Sequence, residues 1–313
     1  MKRIATYILA VTAAVLLSSC NKEELSSTSV IADPVNAETE FDRWLEENYR
    51  APYNINFIYR YEDIETDHDY DLVPAKEICA RILAKMVKFL WLDPYTEIAG
   101  ANFMRQNAPR VIPVIGSGAY NIGSLNLGTA EGGLKVTLYV ANWLIDNNFV
   151  TVTYNNGVDE SEGYSVTINS MDDVNYYFLH TMHHEFAHIL NQNKAYPVDY
   201  NTITQNDYTA QWTSITDAQA LQMGFISAYA SSAPGEDFVE VLSYYITLSE
   251  EEWNARLAQG GATGREIIER KLAIVKDYMV DAWNVDLDEM RAILMRRYSE
   301  IDGINWSDFT TEE

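Results

Sequence analysis

The sequence predicts an α+β fold on three observations. Short strand-like runs separated by glycines occupy the first half, apolar residues at three- and four-residue spacing dominate from Ser170 onward, and no internal repeat is present. With 47% of 313 residues hydrophobic and 22% charged, the chain carries enough apolar material for a sizeable core.

In chain order, Lys2-Arg3 followed by the apolar run Ile4–Leu17 reads as a targeting segment. Leu17-Ser-Ser-Cys20 resembles a bacterial lipobox, so 1–19 is expected to be a lipoprotein signal peptide with Cys20 as the lipidated residue. Residues 20–38 are polar without apolar periodicity and read as a flexible tether. The folded part is then 39–313, with an N-terminal α/β part over about 39–165 and a helical part over about 166–313. With Cys20 lipidated, Cys79 is left as a lone thiol, placed on an amphipathic helix as core filler.

Phe41-Asp-Arg-Trp-Leu45 begins a helix, and the alternation of Ile55–Tyr61 fits a strand. Helical spacing returns from Pro74 to about Trp91, with Pro94 of "WLDPY" expected to close it. Arg110–Ile115, Ala119–Leu127 and Leu134–Val140 are strand-like and suggest a small, mostly antiparallel sheet, with the glycines at 116, 118 and 123 as hairpin residues. Those glycines have the wrong spacing for a nucleotide-binding loop. Asp67-His-Asp69-Tyr-Asp71 starts like a calcium loop, but Leu72 and Ile78 stand where glycine and glutamate are needed, so it reads as a solvated loop. Beyond it, helices are expected at 170–193, about 216–230, 236–247, 262–283 and 286–299.

Acidic residues outnumber basic ones 46 to 22, a net charge of -24. That balance argues against nucleic acid and against docking on anionic lipid.

Three of the five histidines stand in Thr181-Met-His-His-Glu-Phe-Ala-His-Ile-Leu190, on a helix opened by a capping pattern at Ser170-Met-Asp-Asp173. Phe178, Leu179, Met182, Phe186, Ile189 and Leu190 supply its apolar face. His184 and His188 lie one turn apart with Glu185 beside them, the H-E-x-x-H arrangement. Two imidazoles from adjacent turns reach one Zn²⁺ at about 2.0–2.1 Å, and the intervening carboxylate is placed to take a proton from water in the remaining position. His183 points elsewhere, and His180, one turn before His184, is a pocket-lining or supporting residue.

A catalytic zinc takes three protein ligands and keeps one place open. The extension after His188 lacks the glycine and the third histidine of one large peptidase class, and no histidine follows, so a downstream carboxylate is required. Glu236 and Glu240, one turn apart on an otherwise apolar helix after Pro234-Gly235, are the best candidates. A zinc ligand at Glu236 and a histidine partner at Glu240 would satisfy both. An exposed acidic first turn is the plain alternative, and Asp199 and Asp217 are further possible ligands.

His184-Glu-Phe-Ala-His188, Tyr229 and Glu236-Asp-Phe-Val-Glu240 resemble the gluzincin site of anthrax lethal factor-like peptidases. The resemblance implies a zincin-like fold, one Zn²⁺ per chain on His184, His188 and Glu236, Glu240 as a supporting partner, and Tyr229 as a phenol facing the oxyanion or leaving group. Ala187, Asp237 and Val239 depart from that pattern at positions without a chemical role in it. The whole chain, with "FLWLDPY" and "EDFVEVLSYY", resembles the zinc-binding metallopeptidase lipoproteins of Bacteroidota. That resemblance implies an outer-membrane, surface-exposed lipoprotein associated with a nutrient importer, touching the membrane only through Cys20 and cleaving a peptide or protein. The competing expectation is a non-catalytic zinc-containing lipoprotein that binds glycan or peptide; the 21 tyrosines and seven tryptophans leave room for such a surface.

Overall fold

Three strands run parallel where the sequence predicts a mostly antiparallel sheet. In the computed structural model, residues 38–62, 69–121, 124–131 and 133–310 are described. The expected signal peptide, Cys20, the tether up to residue 37, and Asp67 and His68 of the acidic loop lie outside them. The strands are β1 (Asn56–Ile58), β2 (Val111–Pro113), β3 (Ala119–Asn121), β4 (Ser124–Asn126), β5 (Gly128–Glu131), β6 (Lys135–Leu138), β7 (Val150–Tyr154) and β8 (Tyr164–Ile168). The main sheet has the order β1-β2-β6-β5. β1 and β6 both run parallel to β2, with Phe57 opposite Ile112, and β5 alone is antiparallel, with Gly128 opposite Leu138. β3–β4 is an antiparallel hairpin within the expected strand-like run, and β7–β8 is a second one where no strand was expected.

Parallel neighbours need a long crossover, and between β1 and β2 helices supply it. After α1 (Glu40–Leu45) and β1, the chain passes through α2 (Glu77–Val87), one π-helical turn at Lys88–Leu92, α3 (Asp93–Ala99) and α4 (Ala101–Asn107) before it enters β2. Pro94 does not close this segment as expected. It sits in the first turn of α3, where a missing N–H costs least, and the helix ends instead at Gly100, φ +85°. Gly116 is a close-approach residue and no hairpin glycine: an added Cβ would lie 2.2 Å from the Pro74 carbonyl oxygen.

The second half is helical, and residues Thr39–Glu313 cluster as one unit. A short helix from Met171, a π-helical turn at Asn175–Leu179 and α5 (His180–Asn193) form one continuous rod, capped by the Ser170 hydroxyl accepting from the Asp173 N–H. The six apolar residues expected on its inner face are each 1% exposed or less. α6 (Asp217–Met223) is shorter than expected because Gly224, φ +89°, turns the chain out of the helix. α7 (Pro234–Thr247) packs on α5 and is followed by α8 (Glu250–Gln259), α9 (Gly261–Trp283) and α10 (Leu287–Glu300). α8 has no counterpart among the expected helices, although Ser249 and Glu252 close a reciprocal capping box at its start. Among the described residues, no helix is long and apolar enough to cross a membrane.

β5 lies directly on α5. Gly128 makes the approach possible, because a Cβ there would fall 2.3 Å from Thr181 Cγ2. The histidine helix is thus held between the edge strand and α7, with its 180–184–188 face turned toward α7.

Candidate metal centre

α5 and α7 bring three donor atoms together. His184 Nε2 and His188 Nε2 are 3.2 Å apart, and Glu236 Oε2 lies 3.2 Å from the first and 3.1 Å from the second. Ligands about 2.0 Å from a tetrahedral ion are separated by about 3.3 Å, so this triangle has the size of one face of a zinc tetrahedron. Its chemistry fits as well. Two imidazole nitrogens facing each other beside one carboxylate oxygen share too few protons to satisfy every lone pair, whereas a divalent cation satisfies all three. Among the described residues no fourth His, Cys, Asp or Glu donor joins His184, His188 and Glu236.

A buried carboxylate fixes the imidazole. Glu240, 4% exposed, accepts from His184 Nδ1 at 2.8 Å and from His180 Nε2 at 2.8 Å through the same oxygen. Its second oxygen accepts from the Ser227 hydroxyl at 2.5 Å, and Ser227 in turn accepts the Ala230 N–H at 3.0 Å. With Nδ1 held by Glu240, Nε2 is the ring nitrogen turned toward Glu236 and His188. Burial works against charge on Glu240, yet the two imidazoles hold its carboxyl well below the usual range. Burial likewise opposes a charged His184, but the Glu236 and Glu240 carboxylates outweigh it and push its pKa up to about 10. A cation arriving at Nε2 therefore replaces a proton.

Glu185 and Tyr229 line a hollow of about 280 Å³ that opens beside His184. The Tyr229 ring centroid is 5.8 Å from that of His184 and 5.0 Å from that of Trp212. Burial and the Glu236 charge raise the Tyr229 phenol, which keeps it a neutral O–H donor.

The other candidates separate clearly. His183 is fully buried with its ring against Tyr95, and burial pushes its pKa down to about 3. Asp199 lies in another hollow beside Asp277 and Asp281. Asp217 borders the hollow by His184, but its carboxylate accepts from the Ala228 N–H at 2.8 Å and from Arg256 at 2.7 Å. Neither aspartate joins the triangle.

Sequence reasoning missed Ser227, Trp212 and the buried Asp237–Lys271 pair. A signal existed for the last: Lys271 interrupts the apolar stripe Ile268, Leu272, Val275 of α9. Nothing local marks Ser227.

A family described as "Putative zinc-binding metallo-peptidase" matches residues 34–288. The chain belongs to this family. A solved structure described as a "putative zinc-binding metallo-peptidase" from Bacteroides caccae ATCC 43185 is 42% identical with a TM-score of 0.71, over 90% of this chain and 100% of that one. Comparison with curated proteins gives no match. Membership in a zinc-binding family agrees with the His184–His188–Glu236 donor set, and the α+β architecture is shared along the matched length.

Proposed function

We propose that this chain is a zinc-dependent hydrolase that cleaves peptide bonds, with His184, His188 and Glu236 holding the ion. The observation that carries the reading is a three-donor group with no fourth protein donor among the described residues, set beside a hollow lined by Glu185 and Tyr229. A closed structural zinc site needs that fourth ligand. Its lack disfavours the reading of a non-catalytic zinc lipoprotein.

When bound, zinc supplies Lewis acidity, which polarises a carbonyl and makes water more acidic. Glu185 accepts the proton of the attacking water and returns it to the departing amine. Tyr229, a neutral donor in this setting, hydrogen-bonds the oxyanion as charge develops there. Glu240 and Ser227 hold the His184 ring in its tautomer and orientation.

Lipid anchorage through Cys20 on the cell surface is part of the same proposal, supported by Leu17-Ser-Ser-Cys20. Association with a nutrient importer rests on the lipoprotein resemblance, and the net charge of -24 speaks against a nucleic-acid partner.

The test is Glu185→Gln measured for both metal and turnover. It should keep one zinc per chain while cleavage of a proteome-derived peptide mixture falls by about 100-fold or more. Wild-type cleavage should vanish with chelator and return with added zinc. Undiminished turnover in the Gln variant would remove Glu185 from the mechanism.

A further inference from the structure

The hollow beside His184 extends well past the groups used above. Four rings line it, Tyr176, Trp212, Tyr229 and Tyr244, together with Leu127 and Gly128 of the edge-strand region. At about 280 Å³ it falls just under the roughly 300–1,000 Å³ of ordinary small-molecule sites. That is room for one large side chain.

The rings pack against neighbouring groups. Tyr229 packs edge-on against Trp212, with centroids 5.0 Å apart. Tyr244 lies 4.4 Å from the His180 ring, and the Arg256 guanidinium covers it at 4.3 Å. Tyr176, 52% exposed, packs edge-on against Tyr177, which is itself stacked on Phe149. Tyr176 belongs to the π-helical turn at Asn175–Leu179. Such turns insert an extra residue and recur at functional sites; here the turn sits just ahead of the histidine face.

Charge decides between possible occupants. Asp217 is the carboxylate on this side, and Arg256 and the Ala228 N–H already engage it. Arg256 also covers one face of Tyr244, and its positive charge beside that ring disfavours a substrate cation there. Glu185 and Glu240 line the same hollow and repel an anion. Four lining rings, and an Asp217 carboxylate already matched by Arg256, favour a neutral ring packed edge-to-face or offset.

We propose that this hollow is a specificity pocket for one uncharged aromatic side chain, phenylalanine or tyrosine, of a peptide substrate. The inference rests on the reading of the site as acting on peptides. Its test is made by binding, so that the two can fail separately. Zinc-loaded Glu185→Gln protein is titrated calorimetrically with peptides that differ at a single residue (Phe, Tyr, Leu, Ala, Lys or Glu), moved through successive positions.

At one position Phe and Tyr should bind about tenfold or more tighter than Ala, Lys or Glu. Introducing Tyr176→Ala or Trp212→Ala into the same protein should cut that ratio to about threefold or less, with zinc content unchanged. Peptides that bind without regard to the varied residue would overturn the pocket and leave the peptide reading standing. So would a preference for Lys, or a ratio that survives both substitutions. If no peptide binds at all, the peptide reading falls and the pocket with it.

Discussion

Lys271 Nζ of α9 stands 2.5 Å from an Asp237 carboxylate oxygen of α7, and neither residue has any solvent exposure. Tyr208 donates to the same carboxylate at 2.8 Å, while Lys271 also donates to the Gly224 carbonyl at 2.8 Å and lies 4.1 Å from the Phe225 ring centroid. One buried cation therefore ties the turn that carries Glu236 to the loop that carries Ser227 and Tyr229. Burial pushes Asp237 up to about 6 and Lys271 down, so desolvation opposes both charges and the pair adds little net stability.

Lys271→Met should therefore destabilise the protein by about 3–5 kcal/mol by stranding Asp237. Asp237→Leu combined with Lys271→Met should recover most of that loss in a thermal melt. If the pair also aims Glu236, the double variant should still bind zinc about tenfold more weakly than wild type. Wild-type zinc affinity in the double variant would reduce the pair to a packing feature.

Glu240 should affect zinc binding through His184. Glu240→Ala removes the acceptor of two imidazole N–H groups and of the Ser227 hydroxyl. Zinc affinity should fall by about 10–100-fold, measured by competition with a chromophoric chelator. Ser227→Ala, which leaves both imidazole contacts in place, should lose less. Equal losses in the two variants would contradict this order.

What could be read from sequence was what depends on near neighbours. The one-turn spacing of His184 and His188 needs only a helix, and the apolar positions around it set which face turns inward. Glu236 was reachable because zinc chemistry demands a third donor and few carboxylates stand on apolar helices. Strand direction was not reachable: whether β2 runs along β1 depends on where three intervening helices deliver the chain. Pro94 misled for a related reason, since a proline at a helix start and one at a helix end look alike in sequence. Lys271 and Asp237 stand thirty-four positions apart, and only packing reveals that two apparent surface charges are partners.

Gly128→Ala tests how closely the edge strand must lie on the histidine helix. The new methyl would meet Thr181 Cγ2 at 2.3 Å and Glu185 Cγ at 3.5 Å. β5 has to withdraw from α5, at a cost of about 1–3 kcal/mol in denaturant unfolding. Adding Thr181→Ala removes the colliding methyl group and should restore most of the lost stability. A double variant no better than Gly128→Ala would mean that the strain lies elsewhere.

Asp42 gives a pH signature remote from the metal centre. Its carboxylate closes the capping box with Thr39, accepts from Tyr59, and pairs with both guanidinium nitrogens of Arg60 at 2.8 Å. Burial raises its pKa, but the Arg60 pair and the Thr39 and Tyr59 contacts outweigh that and bring it down to about 2. A carboxyl depressed in the folded state stabilises above its unfolded value near 4 and loses that contribution as pH falls through 2. Solvent screening at this half-buried site limits the contribution to about 1 kcal/mol. Asp42→Ala should accordingly melt below wild type at pH 7, and the gap should narrow between pH 4 and pH 2. A gap that stays constant down to pH 2 would show that the carboxylate charge contributes nothing, leaving the loss to the cap geometry alone.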